Sequence, residues 1–192
     1  MENYLEINRK SWNAKVEPHL KSDFYFVDEF LNGRTSLNSI ELEILGDVSG
    51  KEILHLQCHF GQDSISLSRM GAKVTGIDLS DKAIEAAKEL AQECGTDTHF
   101  LVSDVYELPK ILDKKFDIVY TSYGTIGWLP DLEKWAAVVS HFLKPGGKFV
   151  FVEFHPFVWM YDDDFTHLKY SYFNEMPIVE IEEGTYANQS AD

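Results

Sequence analysis

The chain has 192 residues, with 17 Lys and Arg against 32 Asp and Glu, a formal net charge of −15. A length that suits one domain, 44% hydrophobic residues and 26% charged residues exclude wholesale disorder and give enough apolar mass for a core. The acidic balance disfavours nucleic acid and anionic membrane partners, both of which would repel it.

The opening segment, Met1-Glu2-Asn3-Tyr4, lacks the basic and apolar regions of a secretion signal, and apolar runs such as 149–152 are too short to cross a bilayer. Two cysteines, Cys58 and Cys94, make no disulfide framework. The expectation is a reduced, soluble, cytoplasmic protein. Residues 1–50 read as a helical lid, with Leu37, Ile40, Leu42, Ile44 and Leu45 before a Gly46 stop.

Residues 51–154 alternate strand and helix. Ile53-Leu54-His55-Leu56 predicts a first buried strand, 63–70 a helix, and 72–77 a second strand. Ser80 is set to cap a helix that runs through Cys94 to Gly95, with Ala83, Ile84, Ala87, Leu90 and Ala91 on one face. Residues 98–102 predict a third strand and 116–121 a fourth. Asp131 caps a further helix with an apolar stripe of Leu132, Trp135, Ala136, Val139 and Leu143. Pro145-Gly146-Gly147 stops it, and 148–154 predicts a fifth strand. Alternating elements of this kind predict a Rossmann-like, doubly wound, mostly parallel sheet in three α/β/α layers. Ligands then bind beyond the carboxyl ends of the strands. Residues 155–192 are aromatic and acidic, and 170–173 with 178–181 predict an extended pair around Pro177.

The loop after the first strand reads Leu56-Gln57-Cys58-His59-Phe60-Gly61-Gln62-Asp63, with one glycine. It lacks the G-x-G-x-x-G of nicotinamide enzymes. Asp78 follows Gly61 by seventeen positions, near the interval that sets an acid against ribose hydroxyls. A carboxylate accepts both hydroxyls at once. Asp104 after the third strand could accept from an adenine amino group, or serve as a turn residue. His55, Cys58 and His59 lack a clear fourth partner, so no metal site is expected. Tyr106 and Lys110 share a dehydrogenase spacing that Pro109 interrupts.

Taken together, residues 53–61, Val74-Thr75-Gly76-Ile77-Asp78-Leu79-Ser80, Ser103-Asp104-Val105, Phe116-Asp117-Ile118-Val119 and Leu143-Lys144-Pro145-Gly146-Gly147 resemble the class I S-adenosylmethionine-dependent methyltransferases. The 56–61 loop is similar to that of a bacterial and plant subgroup of uncharacterised small-molecule methyltransferases. The resemblance implies S-adenosylmethionine as cofactor and transfer of its methyl group to a small-molecule acceptor by in-line displacement. It implies that Gln57, Cys58, His59, Phe60 and Gly61 wrap the methionine part, Asp78 holds the ribose, Leu79 packs on adenine, and Asp104 and Val105 meet its edge. Thr121, Ser122 and Tyr123 would lie beside the sulfonium. Trp12, Phe60, Tyr123 and Trp128 are candidates for cation–π contact with it, Trp12 being equally suited to packing. Tyr123, Glu153 and His155 are the candidate bases, His155 also reading as a plain strand end.

The chain departs from the family at His55, where an acid is usual, and at Gln57 and His59, where glycines are usual. It also ends at Asp192, before the family's C-terminal hairpin, which predicts an uncovered fifth strand open to association between copies. Competing readings are a non-catalytic cofactor-binding or regulatory protein on this fold and an NAD(P)-dependent oxidoreductase.

Overall fold

A computed structural model describes residues 4–162, 164–174, 176, 178 and 184–188. Five strands form one parallel sheet: β1 (Glu52–Leu56), β2 (Lys73–Asp78), β3 (His99–Val102), β4 (Phe116–Ser122) and β5 (Leu143–Val152), in the order β3-β2-β1-β4-β5. The chain steps outward one way from β1 to β3, then returns to the other side of β1 for β4 and β5. That reversal is the switch point at which sheets of this kind form a ligand crevice, at the carboxyl ends of β1 and β4.

Both sheet faces are covered, which is why the strands are apolar on both sides. Ile53, Ile118, Tyr120 and Val150 turn to one face and meet Leu67 of α4 (Gln62–Arg69) and Leu37 and Leu45 beside or within α3 (Ser39–Leu45). Leu54, Leu56 and Val119 turn to the other and meet α6 (Leu132–Phe142). A third cluster joins α5 (Asp81–Glu93) and Phe100 to Val16 of α1 (Tyr4–Leu20) and Phe30 of α2 (Val27–Leu31).

Local chemistry sets the element ends. Ser80 Oγ accepts from Ala83 N at the start of α5, and Gly95 turns left-handed after it. Asp131 Oδ1 accepts from Lys134 N at the start of α6. Gly46, at φ +67°, ends α3.

Three expectations need correction. The buried row of α6 is Trp135, Val138, Val139 and Phe142, whereas Leu132 and Ala136 are exposed. The stripe is phased by the bulky Phe142, not by Ala136. The Pro145-Gly146-Gly147 turn does not precede β5 but is carried inside it, as a register break between the Phe116–Leu143 and Ile118–Lys148 pairs. The strand ends at Val152 rather than 154. Residues 170–173 form a bend and turn instead of a strand, and Pro177 with 179–181 of the expected partner lies outside the described residues. Nearby, Pro156–Met160 form a short 3₁₀ helix, and Tyr161 bridges Leu168.

Candidate active site

The loop after β1 holds the left-handed geometry of a glycine loop with few glycines. Gln57 (φ 56°) and His59 (φ 51°) both occupy it, as does Gly61 (φ 79°). Each non-glycine residue there costs roughly 1–2 kcal/mol. Gly61 is obligatory for a second reason: a Cβ would stand 2.5 Å from the Phe100 ring. Cys58 N donates to Ile77 O at 2.8 Å, which ties the loop to β2.

Asp78 stands at the end of β2 beside this loop. Its Oδ2 accepts from His59 N at 2.8 Å and its Oδ1 from Ser80 N at 2.9 Å. Burial raises its pKa, and those N–H groups oppose the rise. With the Leu79 N–H also directed at it, the carboxylate still keeps acceptor capacity to spare. Leu79 is half-buried. Asp104, also half-buried, accepts from Tyr106 N at 3.1 Å, and burial raises its pKa too. The Val105 side chain points into the core.

Across the crevice, Thr121 Oγ1 donates to Leu56 O at 3.3 Å. Ser122 Oγ donates to Asp63 Oδ2 at 3.2 Å. Tyr123 is left-handed at φ 45°. The Glu153 carboxylate gathers the next loop: it accepts from Gly124 N, from Thr125 N at 2.7 Å, from Ile126 N at 3.2 Å and from Phe154 N at 2.8 Å. Thr125 O in turn accepts from Gln57 Nε2 at 2.9 Å, while Gln57 Oε1 is buried without a partner. His155 is exposed, and its Nδ1 accepts from Phe157 N at 3.2 Å.

Helix α1 lies across these strand ends. Asn8 Nδ2 donates to Trp128 O at 3.4 Å, and Asn13 bonds both Asp81 and Ser80. The Trp12 ring meets His59 and Trp128, each at 5.3 Å between centroids. His19 Nδ1 and His59 Nε2 are 2.9 Å apart, and Tyr25 packs on both rings. Burial lowers His19 to about 4 and His59 to about 3, so both imidazoles are neutral near pH 7.

The structure therefore brings Trp12, residues 57–61, Asp78, Leu79, Asp104 and residues 121–123 to one edge of the sheet. It adds groups that sequence reasoning missed. Asn13 and His19 come from α1, whose apolar periodicity is weak. Asp63, two residues past Gly61, had a positional signal that went unused. It accepts from Ser36 Oγ at 2.6 Å and from Tyr120 OH at 3.2 Å. Glu41, within the apolar stretch of α3, is also at this edge. His55 fills its place on β1 by bonding Ser64 Oγ at 2.8 Å and stacking near Tyr120.

Residues 53–147 match a family model described as a methyltransferase domain. An uncharacterized methyltransferase of Synechocystis is 33% identical over 133 residues, covering 68% of this chain and 60% of that protein. A ubiquinone biosynthesis O-methyltransferase of Coxiella burnetii is 32% identical over 115 residues, covering 60% and 47%. An S-adenosylmethionine-dependent methyltransferase structure from Mesorhizobium loti has a TM-score of 0.55 at 30% identity, covering 69% and 58%. The DhpI–SAH complex, at 20% identity and a TM-score of 0.61, shares the fold and covers 85% and 72%. The chain spans about 60% of the length of the first curated relatives it matches. With this strand order and this kinship, residues 53–147 form a methyltransferase domain on the Rossmann-like fold of S-adenosylmethionine-dependent methyltransferases.

Proposed function

We propose that this chain moves a methyl group from S-adenosylmethionine to a small-molecule acceptor by in-line displacement. Residues 51–154 act as the cofactor-binding core, 1–50 as a lid and 155–192 as an extension beside the acceptor. The observation that carries the reading is the Asp78 carboxylate, held by two backbone N–H groups at the crevice rim with acceptor sites to spare.

The residues present fit the cofactor. Gln57 Oε1, buried and unpartnered, is an acceptor suited to the methionine ammonium. Asp78 takes the ribose hydroxyls. Leu79, Asp104 and the backbone of Val105 take the adenine. Cys58, His59, Phe60 and Gly61 shape the turn around the methionine part, and Thr121 and Ser122 line the opposite wall. Trp12 and Trp128 offer aromatic faces and keep water from the crevice.

When bound, S-adenosylmethionine supplies an activated methyl group on a sulfonium. The protein's task is then chiefly to hold the acceptor in line and to exclude water. Burial and the neighbouring Glu41 push Tyr123 up to about 12, so its hydroxyl stays protonated and orients rather than abstracts. Glu153 acts through the 124–126 loop it organises. His155, exposed, is the candidate proton acceptor. No described helix is long and apolar enough to cross a membrane. We place the protein in the cytoplasm, without nucleic acid, and the open edge of β5 as a site for pairing between copies.

Calorimetric titration with S-adenosylhomocysteine tests the reading. Asp78→Ala should weaken binding at least tenfold, from loss of hydrogen bonds to a charged acceptor worth about 1.5–3 kcal/mol. Unchanged affinity in a folded variant defeats the ribose assignment. NADH binding with none for S-adenosylhomocysteine overturns the function.

A further inference from the structure

On the β4 side of the crevice a buried carboxylate, Glu41, and a half-buried one, Asp63, stand without a cation. Glu41 is 1% exposed, and its Oε2 has no hydrogen-bond partner. The carboxylate is otherwise met by Asn38 Nδ2, 3.5 Å from Oε1, and by the neighbouring Tyr123 hydroxyl. Asp63 is held by the hydroxyls of Ser36, Tyr120 and Ser122. Among the described residues no Lys, Arg or His is ion-paired with either carboxylate. The cluster reaches the surface through the exposed Asn38, whose Nδ2 also donates to Tyr123 OH at 3.3 Å, and through the half-buried Tyr123.

An oxygen left unpaired in the interior is costly unless something returns to pair it. A hydroxyl group would satisfy the hydrogen bond but leave the charge. An ammonium group satisfies both, and the net charge of −15 favours its approach. Asp63 is already served by three hydroxyls, so Glu41 is the group still open.

From this arrangement we propose that Glu41 recognises an ammonium group on the methyl acceptor, which makes the substrate class a small cationic amine. The proposal rests on the methyltransferase reading above. In it Asn38 and Tyr123 are the positioning residues that hold the Glu41 carboxylate, and acceptors carrying a carboxylate at the same place are rejected.

The test is ligand-observed NMR on the full chain saturated with S-adenosylhomocysteine. The probes are small amines, each matched with the carboxylate of the same skeleton, beginning with tyramine and 4-hydroxyphenylacetate. Amines should bind at least tenfold more tightly than their partners, and Glu41→Gln should erase that preference while S-adenosylhomocysteine affinity holds. No preference in any pair, or a preference that survives Glu41→Gln, overturns the proposal and leaves the methyltransferase reading intact. Failure of S-adenosylhomocysteine to bind the unaltered chain overturns both. Thermal melting gives an independent readout. A recognition residue held at a cost to stability should melt at the same or a higher temperature once neutralised. A fall of more than about 4 °C in Glu41→Gln marks the carboxylate as structural and also overturns the proposal.

Discussion

The two ends of the sheet use charge in opposite ways. At the amino end, Lys144 pairs with Glu52 and Asp117, and Lys114 with Glu52, on side chains about a third exposed. Asp117 also accepts from Glu52 N at 2.8 Å. Lys144 and Asp117, paired with each other, line a hollow of about 270 Å³ together with Asp47, Lys51 and Lys148. At the carboxyl end, Glu41 is buried and Asp78 and Asp63 half-buried, ringed by hydroxyls, amides and N–H groups, and at Gln57 and Glu41 an acceptor goes unmet. Solvated pairs hold an edge together at little gain. Buried groups left short carry a cost that calls for a physical reason.

That contrast can be broken in three places. The largest effect is expected at Gly61→Ala, which forces a Cβ into the Phe100 ring at a left-handed position. Chemical denaturation should show a loss of about 2–4 kcal/mol. A loss under 1 kcal/mol would mean that the loop is not held by this packing.

Next comes pH. His19 and His59 titrate in the folded chain near 4 and 3, below the ordinary histidine value of about 6.5. The unfolded chain therefore takes up protons first. The stability these residues contribute is full above pH 6.5 and is lost as pH falls toward 4 for His19 and 3 for His59. At pH 5 the loss is of order 2 kcal/mol per histidine. Melting curves at pH 7.5 and 5 should show His19→Gln losing less stability than the unaltered chain. Equal losses would remove the histidine pair from the account.

The smallest effect belongs to Lys144→Met at the amino end. It should leave S-adenosylhomocysteine affinity unchanged and shift the melting temperature only slightly, less so at high salt. A change in affinity would mean the two edges are coupled.

Much of the fold was readable because its signals are local. Ser80 and Asp131 announce helix starts by short-range capping, and the β-branched runs of β1, β2 and β4 lie between clear punctuation. Asp78 was placed by its distance from Gly61. What failed was phase and long range. The inward row of α6 is decided by the sheet it meets, and the Pro-Gly-Gly turn inside β5 depends on pairing with β4. Glu41 carries no signal of its own, because nothing near it in sequence reports that Tyr120 and Tyr123 lie close to it. His19 joins His59 from forty positions away.

The roof formed by α1 has a consequence for biogenesis. Asn8 meets Trp128 across 120 positions, and Glu153 fastens the loop at 124–126. Helix α1 can thus pack on α5 through Val16 and Asn13 as soon as α5 exists, while its contact with Trp128 waits for the segment after β4.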